Sequence, residues 1–310
     1  MAEALIELKD VVKSFGDKVV LNGVNLNVDS KDIFGIIGTS GSGKTTILNL
    51  IVGFWKASKG SIKYDSNESS RVQNLVHQTF GFASQSGSYY QKLSVEENLE
   101  FFGRMYNMKD KEIKERVSEL LSLIELSDAR HKLANQLSTG MQRRLDIACA
   151  LMHKPKVLIL DEPTEDLDPI LRKELLAMIK TINNEEGTTI IMTSHLLGEI
   201  EIICNKIAIL NNGRIMEQGT PDQLKDEYSK NYEISLQTKN ADYGYILKHL
   251  SRSGCKVFDK KHRIIAYSDR PDQAMKLILS LLKAKKEKII ELSVTKPSLE
   301  EVFEAVTKRR

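Results

Sequence analysis

The stretch "GTSGSGKTT", Gly38–Thr46, decides the fold of this chain. It matches the pattern G-x-x-x-x-G-K-[ST] and lies between the apolar run "DIFGIIG" and the helical pattern "TTILNLIVGFW", the context that such a loop requires. The glycines let successive backbone N–H groups wrap around phosphate oxygens. Lys44 then reaches towards the β- and γ-phosphates, and the Thr45 hydroxyl is a candidate Mg²⁺ ligand. A glycine turn without a ligand is the competing interpretation, which the flanking strand and helix disfavour.

Two carboxylates end a second apolar strand pattern, "KVLILDEPT", at Asp161 and Glu162. Ligands of α/β sheets bind at the carboxyl ends of the strands, so this position indicates the same site. Asp161 is predicted to hold Mg²⁺, and Glu162 to orient and activate the water that attacks the γ-phosphate. Two acids after a strand are by themselves typical of a helix cap. The glycine-rich loop decides in favour of catalysis.

Two further polar residues follow strand-like segments. His195 closes "IIMTSH", and Gln85 lies in "FGFASQSGSYY", where the strand pattern gives way to a helical one. We expect His195 to contact the γ-phosphate or the attacking water at the same edge of the sheet. The Gln85 amide is expected to contact both the metal and the attacking water. The structural alternatives, a structural histidine and a turn residue, stay open at this point.

The order of the predicted elements indicates an α/β protein with two domains. Antiparallel strand patterns open the chain, and apolar β-rich runs that alternate with helical stretches predict a mainly parallel sheet with helices on its faces. A helical insertion in this core covers about 86–153. The last part follows the order β-α-β-β-α-β-α, which predicts a small ferredoxin-like α+β unit. We place the boundary near 224–230, with one domain over 1–224 and an accessory domain over 225–310.

Composition limits the compartment and the partners. The chain has 310 residues, of which 41% are hydrophobic, enough for one large core and a smaller one. No run approaches the ~18 apolar residues of a membrane span, and the start lacks signal-peptide regions, so we expect a cytosolic protein unless a partner holds it elsewhere. A charge of +3, from 45 basic and 42 acidic residues, is too balanced to indicate nucleic-acid binding. Three separated cysteines predict a reduced compartment and no zinc site, and they are Cys149, Cys204 and Cys255.

The stretch "LSTGMQRRLD", Leu137–Asp146, predicts the start of an amphipathic helix with an unusual first turn. Helix starts favour Asp or Glu, because unpaired N–H groups and the macrodipole make that end positive. Here Arg143 and Arg144 come early, and no acid precedes them. Two explanations are open: Thr139 and Gln142 fit a capping box, in which the helix satisfies its own end, or an anion arrives from elsewhere.

Six motifs occur in the order, and at about the spacing, of an ATP-binding-cassette (ABC) nucleotide-binding subunit. They are "GTSGSGKT", "ASQ" with Gln85, "LSTGMQRRL", "VLILDEPT", "DLDP" with Asp168, and "SH" with His195. The chain resembles this family over roughly residues 3–223. The resemblance implies the fold of a P-loop NTPase, in the form of an ABC ATPase domain with an antiparallel β subdomain and a helical insertion.

The family pairs two such domains head to tail, so the resemblance implies that ATP lies between the glycine-rich loop of one and the signature helix of the other. Phe15 matches the aromatic residue that stacks on adenine in the family. The implied catalytic residues are Glu162, His195 and Gln85, and those implied at Mg²⁺ are Thr45, Gln85 and Asp161. The implied ATP-binding residues are Phe15, Gly38, Thr39, Ser40, Gly41, Ser42, Gly43, Lys44, Thr45, Thr46, Ser138, Gly140 and Asp168.

The chain departs from the family pattern at two places. The signature is usually Leu-Ser-Gly-Gly-Gln, whereas Thr139 and Met141 stand here in its third and fifth positions. The serine and the second glycine are kept, so we expect function to survive. Before Asp168 the family often has small residues, whereas Glu165 and Asp166 add negative charge where two subunits would meet near phosphate. These carboxylates either weaken closure or select a complementary partner.

The whole pattern predicts the ATP-binding and ATP-hydrolysing subunit of a transporter, with ATP and Mg²⁺ as cofactors. Transport then needs a separate membrane permease that docks beside Gln85 and the helical insertion, which would hold the chain on the inner face of the cell membrane. The end, "TKPSLEEVFEAVT", resembles the tail of single-cassette exporter subunits of the daunorubicin-resistance group. A homodimer and a heterodimer are both open, and no nucleic acid is expected. The alternatives are a soluble cassette ATPase that acts on ribosomes or DNA, and an importer's cassette.

Overall fold

A computed structural model describes residues 4–65, 67–68, 78–228, 232–240, 243–296 and 298–308. The chain divides into two compact units, Met1–Pro221 and Asp222–Arg310. The sequence places the domain boundary near 224–230, a range in which residues 229 and 230 lie outside the described residues.

The first unit begins with an antiparallel sheet. Strands β1 (Ile6–Phe15) and β2 (Lys18–Val28) form a hairpin, and β1 also pairs with β4 (Lys59–Tyr64), which is followed by the short β5 (Asn67–Glu68). Alternate side chains of a strand face the same way, and the inward ones here are apolar and fully buried, as at Leu26. The predicted antiparallel β subdomain is confirmed.

A mainly parallel sheet forms the centre of the first unit. Its strands are β3 (Ile33–Ile37), β6 (Phe80–Ala83), β7 (Val157–Leu160), β8 (Thr189–Ser194), β9 (Lys206–Asn211) and β10 (Arg214–Gly219). They lie in the order β10-β9-β3-β8-β7-β6, with only β10 antiparallel to its neighbour. Every residue of β3, β7 and β8 is buried, as expected for strands covered on both faces. Adjacent strands therefore bring the segments that follow β3, β8, β7 and β6 to one edge.

Helices cover this sheet and form the predicted insertion. The helices of the first unit are α1 (Lys44–Ile51), α2 (Val95–Met105), α3 (Asp110–Leu123), α4 (Thr139–Leu151), α5 (Pro169–Glu186) and α6 (Leu197–Ile203). Helices α2 to α4 lie between β6 and β7 in the chain, which confirms the helical insertion. Helices α2 and α3 approach closely at Gly103, where an added Cβ would lie 2.8 Å from the Ile113 side chain. The helical pattern that extended to Trp55 ends earlier, because Gly53 takes a left-handed φ of 82°.

The predicted capping box at the start of α4 is wrong. Ser138 is the N-cap, and its hydroxyl accepts from the backbone N–H of Met141 at 3.3 Å. Thr139 is already the first helical residue. The Gln142 side chain turns back instead, and its Nε2 donates to the carbonyl of Ala134 at 3.0 Å. The helix therefore begins one residue earlier than the capping box requires, with Ser138 and not Thr139 as its N-cap.

The second unit is a small α+β fold that follows α7 (Pro221–Tyr228). Its elements are β11 (Tyr232–Thr238), α8 (Gly244–Arg252), β12 (Lys256–Asp259), β13 (Ile264–Ser268), α9 (Pro271–Lys285), β14 (Ile289–Thr295) and α10 (Leu299–Lys308). The strands pair antiparallel in the order β12-β13-β11-β14, and Ile234, Leu250 and Ile278 lie in their core. The predicted ferredoxin-like unit is confirmed. Across the described parts of both units, no helix is long and apolar enough to cross a membrane.

Candidate nucleotide-binding site

The glycine-rich loop leads from β3 directly into α1. Gly41 and Gly43 take positive φ angles of 76° and 110°, conformations that favour glycine. A Cβ at Gly43 would also lie 2.7 Å from the side chain of Leu21 on β2. No side chain caps α1, and its first turn has no acidic residue. Its unpaired N–H groups and positive end therefore lack an internal acceptor, which is the arrangement that binds phosphate.

Lys44 is buried and connects the loop to the end of β7. Its ammonium group donates to the carbonyls of Gly38 at 2.9 Å and Thr39 at 3.4 Å. The same nitrogen lies 3.1 Å from Oε1 of Glu162, with both side chains largely buried. A buried cation needs such partners. The lysine is therefore held at the point where the loop faces the predicted catalytic carboxylate.

Asp161 and Glu162 are tied to β8 by Thr193. The Thr193 hydroxyl donates to Oδ1 of Asp161 at 2.6 Å and accepts from the backbone N–H of Glu162 at 2.9 Å. Glu162 has a left-handed φ of 48°, the kind of strained backbone that surrounding contacts hold in place at functional sites. Thr193 is not among the predicted site residues. Its spacing from His195 was the available signal, since side chains two apart in a strand share a side.

His195 is hydrogen-bonded to Glu162 twice. Its Nδ1 lies 2.8 Å from Oε2 of Glu162, and its backbone N–H donates to the same oxygen at 3.2 Å. An ionised carboxylate only accepts hydrogen bonds, so the proton of this contact lies on Nδ1. The other ring nitrogen, Nε2, then carries no proton and can accept a hydrogen bond from another group. The structure thus brings together the predicted base and the predicted histidine.

Gln85 follows β6 and is held by the signature helix α4. The guanidinium group of Arg143 donates to the carbonyls of Ser84 and Gln85 at 3.0 Å each. Asp146, one turn further along α4, accepts from the backbone N–H of Ser88 at 2.7 Å, and burial raises its pKa to about 6. Helix α4 therefore fixes the backbone of this loop.

The basic residues that made the start of α4 unusual have partners within the chain. Arg143 is engaged by the two backbone carbonyls at Ser84 and Gln85. Arg144 contacts the carboxylates of Glu125 and Glu174 at 2.5 and 2.7 Å. Their charges are therefore satisfied locally, and the first turn of α4 still has no acidic residue.

A cavity of about 550 Å³ opens at this edge of the sheet, within the usual size range of ligand sites. It is lined by Val20, Ser40, Gly41, Gly43, Lys44, Thr45, Thr46, Gln85, Glu162, Glu165 and His195. The predicted loop, the predicted base, the histidine and the glutamine thus share one cavity. Val20 and Glu165 also line the cavity, although they were not among the predicted site residues.

Other predicted residues lie outside the wall of this cavity. Thr39 is bonded to Lys44 through its carbonyl, and Ser42 and Asp161 are buried. Gly38 is required for close packing, because a Cβ there would lie 2.5 Å from the carbonyl oxygen of Leu210 on β9. These residues pack or hydrogen-bond within the loop and at the strand ends, and they do not line the cavity.

Phe15 lies at the end of β1, outside the cavity wall, and is 43% exposed. Its ring meets Trp55 edge to face, with 5.0 Å between the centroids, and Nζ of Lys13 lies 4.8 Å from the Phe15 centroid. The same lysine donates to the carbonyl of Lys56 at 2.9 Å, which joins β1 to the segment after α1. An exposed aromatic ring held in this way offers a stacking surface. Trp55 and Lys13 were not predicted.

Ser138, Gly140 and Asp168 also lie outside the cavity wall. Ser138 and Gly140 begin α4, and a Cβ at Gly140 would lie 3.2 Å from the side chain of Leu171 on α5. Asp168 caps α5, because its Oδ1 accepts from the backbone N–H groups of Ile170 at 2.9 Å and Leu171 at 3.0 Å. The structure does not bring these predicted ATP-binding residues to the cavity of their own chain.

The glycine-rich loop, its buried lysine and the paired strand-end acids define a P-loop nucleotide-binding ATPase. Comparison with known proteins narrows this class. Residues 21–165 match the family model described as ABC transporter, and residues 219–307 match that of the C-terminal domain of DrrA1-3-like ATP-binding proteins. The chain belongs to the ABC transporter family, as an ATP-binding subunit with ATPase activity.

Full-length relatives support this assignment. The daunorubicin resistance ATP-binding protein DrrA3 of Streptomyces coeruleorubidus is 30% identical over 308 residues, which cover 98% of this chain and 96% of that protein. The linearmycin resistance ATP-binding protein LnrL of Bacillus subtilis is 29% identical over 308 residues, 98% of this chain and 99% of that protein. Both relatives are named as ATP-binding proteins of drug resistance, and the alternative of an ATPase acting on ribosomes or DNA is not favoured.

A solved structure matches about two thirds of the chain. It is the dimeric, post-hydrolysis state of the ATP-binding cassette MJ0796 bound to ADP and Pi. The match has a TM-score of 0.62 and 28% sequence identity, and it covers 69% of this chain and 98% of that one. The predicted ABC ATPase fold is confirmed.

Proposed function

We propose that the chain drives export through a separate membrane permease, and that two copies close head to tail around ATP and Mg²⁺. One observation carries the proposal: the acid-free first turn of α4, with Ser138 and Gly140, lies away from the nucleotide cavity of its own chain. A positive helix end with no internal anion favours an external one. The phosphate of ATP held by a second copy is the anion that we assign to it.

Within each copy, the loop N–H groups and Lys44 bind the phosphates. The ion pair between Lys44 and Glu162 at 3.1 Å describes the resting arrangement, in which the carboxylate takes the place of phosphate oxygen. When the γ-phosphate binds, it competes with the carboxylate for the ammonium group, because a phosphate group carries more negative charge than the single charge of a carboxylate. Glu162 is thereby released from the lysine and keeps its contact with His195.

Glu162 then acts as the general base for the attacking water. The Nδ1–H of His195 holds Oε2 of Glu162 in place, so the other carboxylate oxygen is left to accept a proton. Nε2 of His195, which then carries no proton, remains available to accept a hydrogen bond from the attacking water. A positioned base of this kind contributes roughly 10²–10⁴-fold to a rate.

The residues near the cavity fit Mg²⁺ bound together with nucleotide. Mg²⁺ is usually held by one or two protein oxygens together with phosphates and water. The Thr45 hydroxyl and the Gln85 amide line the cavity, and the Asp161 carboxylate lies behind it. Among the described residues, no group of three or more His, Cys, Asp or Glu side chains could hold a metal by itself. When bound, the ion would neutralise phosphate charge.

Phe15 is the proposed platform for adenine. Trp55 contacts it edge to face, which holds the Phe15 ring in a fixed orientation. Lys13 lies over the ring at 4.8 Å, and cation and base can then occupy opposite faces. Base stacking on aromatic side chains contributes about 1–3 kcal/mol per base.

The second copy supplies the other half of each site. We assign the Ser138 hydroxyl and the Gly140 N–H to the γ-phosphate held by the opposite chain. Arg143 and Arg144 do not take part, because their guanidinium groups are bound within their own chain. Asp168 fixes the start of α5 beside this surface through its cap. The dimeric arrangement of the similar cassette MJ0796 supports the pairing.

The permease is proposed to dock near Tyr90, on the inner face of the cell membrane. Tyr90 is 49% exposed, and its ring packs edge to face on Phe101 with 4.7 Å between centroids. Its backbone N–H donates to Oδ1 of Asn98 at 2.7 Å. An exposed aromatic side chain on a fixed backbone is typical of an interface anchor. Tyr90 lies five residues after Gln85, so docking would be linked to the nucleotide site.

Isolation of the full chain from detergent-solubilised native membranes tests the export proposal. We expect a polytopic membrane protein in constant ratio to the chain. Tyr90→Asp should reduce its recovery by about tenfold or more, because removal of an interface anchor costs about 2 kcal/mol or more. Tyr245→Asp, which changes a 40% exposed tyrosine of the second unit, is the matched control. Recovery of ribosomes or DNA in place of a membrane protein would contradict the proposal.

A further inference from the structure

Glu165 occupies a position in the nucleotide cavity that the six motifs do not explain. It follows the predicted base by three residues, and its backbone N–H donates to the carbonyl of Glu162 at 3.2 Å. Its carboxylate lines the cavity beside Gln85. The Oε2 atom of Glu165 accepts a hydrogen bond from Nε2 of Gln85. The contact joins the segment after β7 to the segment after β6, which are far apart in the chain.

The backbone that carries Glu165 is fixed on both sides of it. The Thr164 hydroxyl donates to Glu199 on α6 at 2.5 Å. The carbonyl of Leu167 accepts from the guanidinium group of Arg172 on α5 at 2.8 Å. Asp168 then caps α5. The backbone from which the Glu165 side chain extends is therefore held by neighbouring elements of the fold.

The contact fixes which end of the Gln85 amide faces Glu165. A carboxylate only accepts hydrogen bonds, whereas an amide has an oxygen that accepts and a nitrogen that donates. Glu165 therefore binds the amide nitrogen of Gln85, and the amide oxygen Oε1 points to the other side, where it can contact another group. Mg²⁺ takes oxygen ligands, so this is the orientation in which Gln85 can contact the metal. A serine or glycine at position 165 could not contact the Gln85 amide in the same way, because its side chain is too short or absent.

We infer that Glu165 is a positioning residue that presents Oε1 of Gln85 to the metal of the ATP complex. The inference rests on the proposed function, in which Gln85 is a metal-side residue. Partners that orient a metal ligand typically change metal affinity by about 10–100-fold when they are removed. The Glu165 carboxylate thus raises the metal affinity of the ATP site, and it does not serve to weaken the closure of two copies around ATP.

The test measures metal binding directly in the full chain. The non-hydrolysable ATP analogue AMP-PNP is bound first, Mn²⁺ is titrated in place of Mg²⁺, and free Mn²⁺ is followed by electron paramagnetic resonance. Glu165→Gln should weaken Mn²⁺ binding by about tenfold or more, while the affinity for metal-free AMP-PNP stays at the wild-type value. Asp166→Asn, which removes an exposed carboxylate from the same segment, is the control and should change Mn²⁺ binding by less than about twofold.

A double-mutant cycle with Gln85→Ala separates orientation from charge. If Glu165 acts through Gln85, then Glu165→Gln should change Mn²⁺ affinity by less than about twofold in the Gln85→Ala background. An equal loss in both backgrounds would overturn the inference, because Glu165 would then act by its charge or as a ligand itself. If the wild-type chain binds Mn²⁺ and Glu165→Gln binds it equally well, the inference about Glu165 is overturned, whereas the proposed function stands. Failure of the wild-type chain to bind AMP-PNP and Mn²⁺ would overturn the proposed function as well.

Discussion

Glu162→Gln is expected to bind ATP, to lose nearly all hydrolysis and to accumulate as an ATP-bound dimer. The amide has nearly the shape of the carboxylate, but it cannot take a proton from water at neutral pH. Loss of a positioned general base should lower turnover by about 10²–10⁴-fold. The substitution also weakens the ion pair with Lys44, so the lysine becomes more available to phosphate. Turnover is measured at saturating ATP, and dimers are measured by gel filtration with ATP present.

Glu115→Gln is the control for this result. Glu115 is exposed on α3 and pairs only loosely with Lys111, at 3.9 Å, so the same chemical change should leave turnover intact. Near-normal turnover of Glu162→Gln would rule out Glu162 as the base. Lost ATP binding would show instead that the Lys44 to Glu162 pair maintains the loop in its binding form.

Ser138→Arg is expected to leave ATP binding by the single chain intact and to abolish ATP-driven dimerisation. Ser138 does not line the cavity of its own chain, but we place it against the phosphate of the second copy. An arginine there is too large for that contact. Groups supplied by a partner to stabilise phosphoryl transfer contribute about 10³–10⁵-fold in other nucleotide hydrolases, so the loss of hydrolysis should be large. Fluorescent ATP binding and gel filtration measure the two properties separately.

The substitution also removes the cap of α4, which must be separated from the loss of dimerisation. Loss of the hydrogen bond to Met141 should lower the free energy of unfolding by about 1 kcal/mol. Ser298→Arg provides the control, since the Ser298 hydroxyl accepts from Glu301 at the start of a helix in the second unit. It should have a similar thermal effect and keep dimerisation. Equal loss of single-chain ATP binding in Ser138→Arg would contradict the assignment of Ser138 to the partner's nucleotide.

Much of the fold and of the cavity wall could be predicted because the residues that line the cavity lie directly beside the strand and helix patterns that position them. The glycine-rich loop needs a strand before it and a helix after it, and both patterns are visible around Gly38–Thr46. Buried parallel strands have continuous apolar runs, so the polar residues that end them stand out, as at Glu162 and His195. Since those strands are neighbours, residues far apart in the chain meet at one edge.

Other features depend on contacts that no local pattern contains. Thr193 joins Asp161 to Glu162 across two strands, and only its spacing from His195 pointed to it. Arg143 made the first turn of its helix unusual in the sequence, but its partners are backbone carbonyls nearly sixty residues earlier. The capping box failed for a similar reason. Its residue types fit, yet Ser138, one residue earlier, caps the helix.

The central claim is that each ATP site is shared between two copies, and a mixture of two inactive variants tests it most directly. Lys44→Ala destroys the phosphate loop, and Ser138→Arg destroys the signature surface, so each variant alone should hydrolyse almost no ATP. In a mixed dimer, the intact loop of one chain faces the intact signature of the other. Because neither variant has a complete site with a copy of itself and each mixed dimer has one of two, the mixture should regain clear turnover, at most about half of the wild-type value. A mixture as inactive as its separate components would contradict the claim.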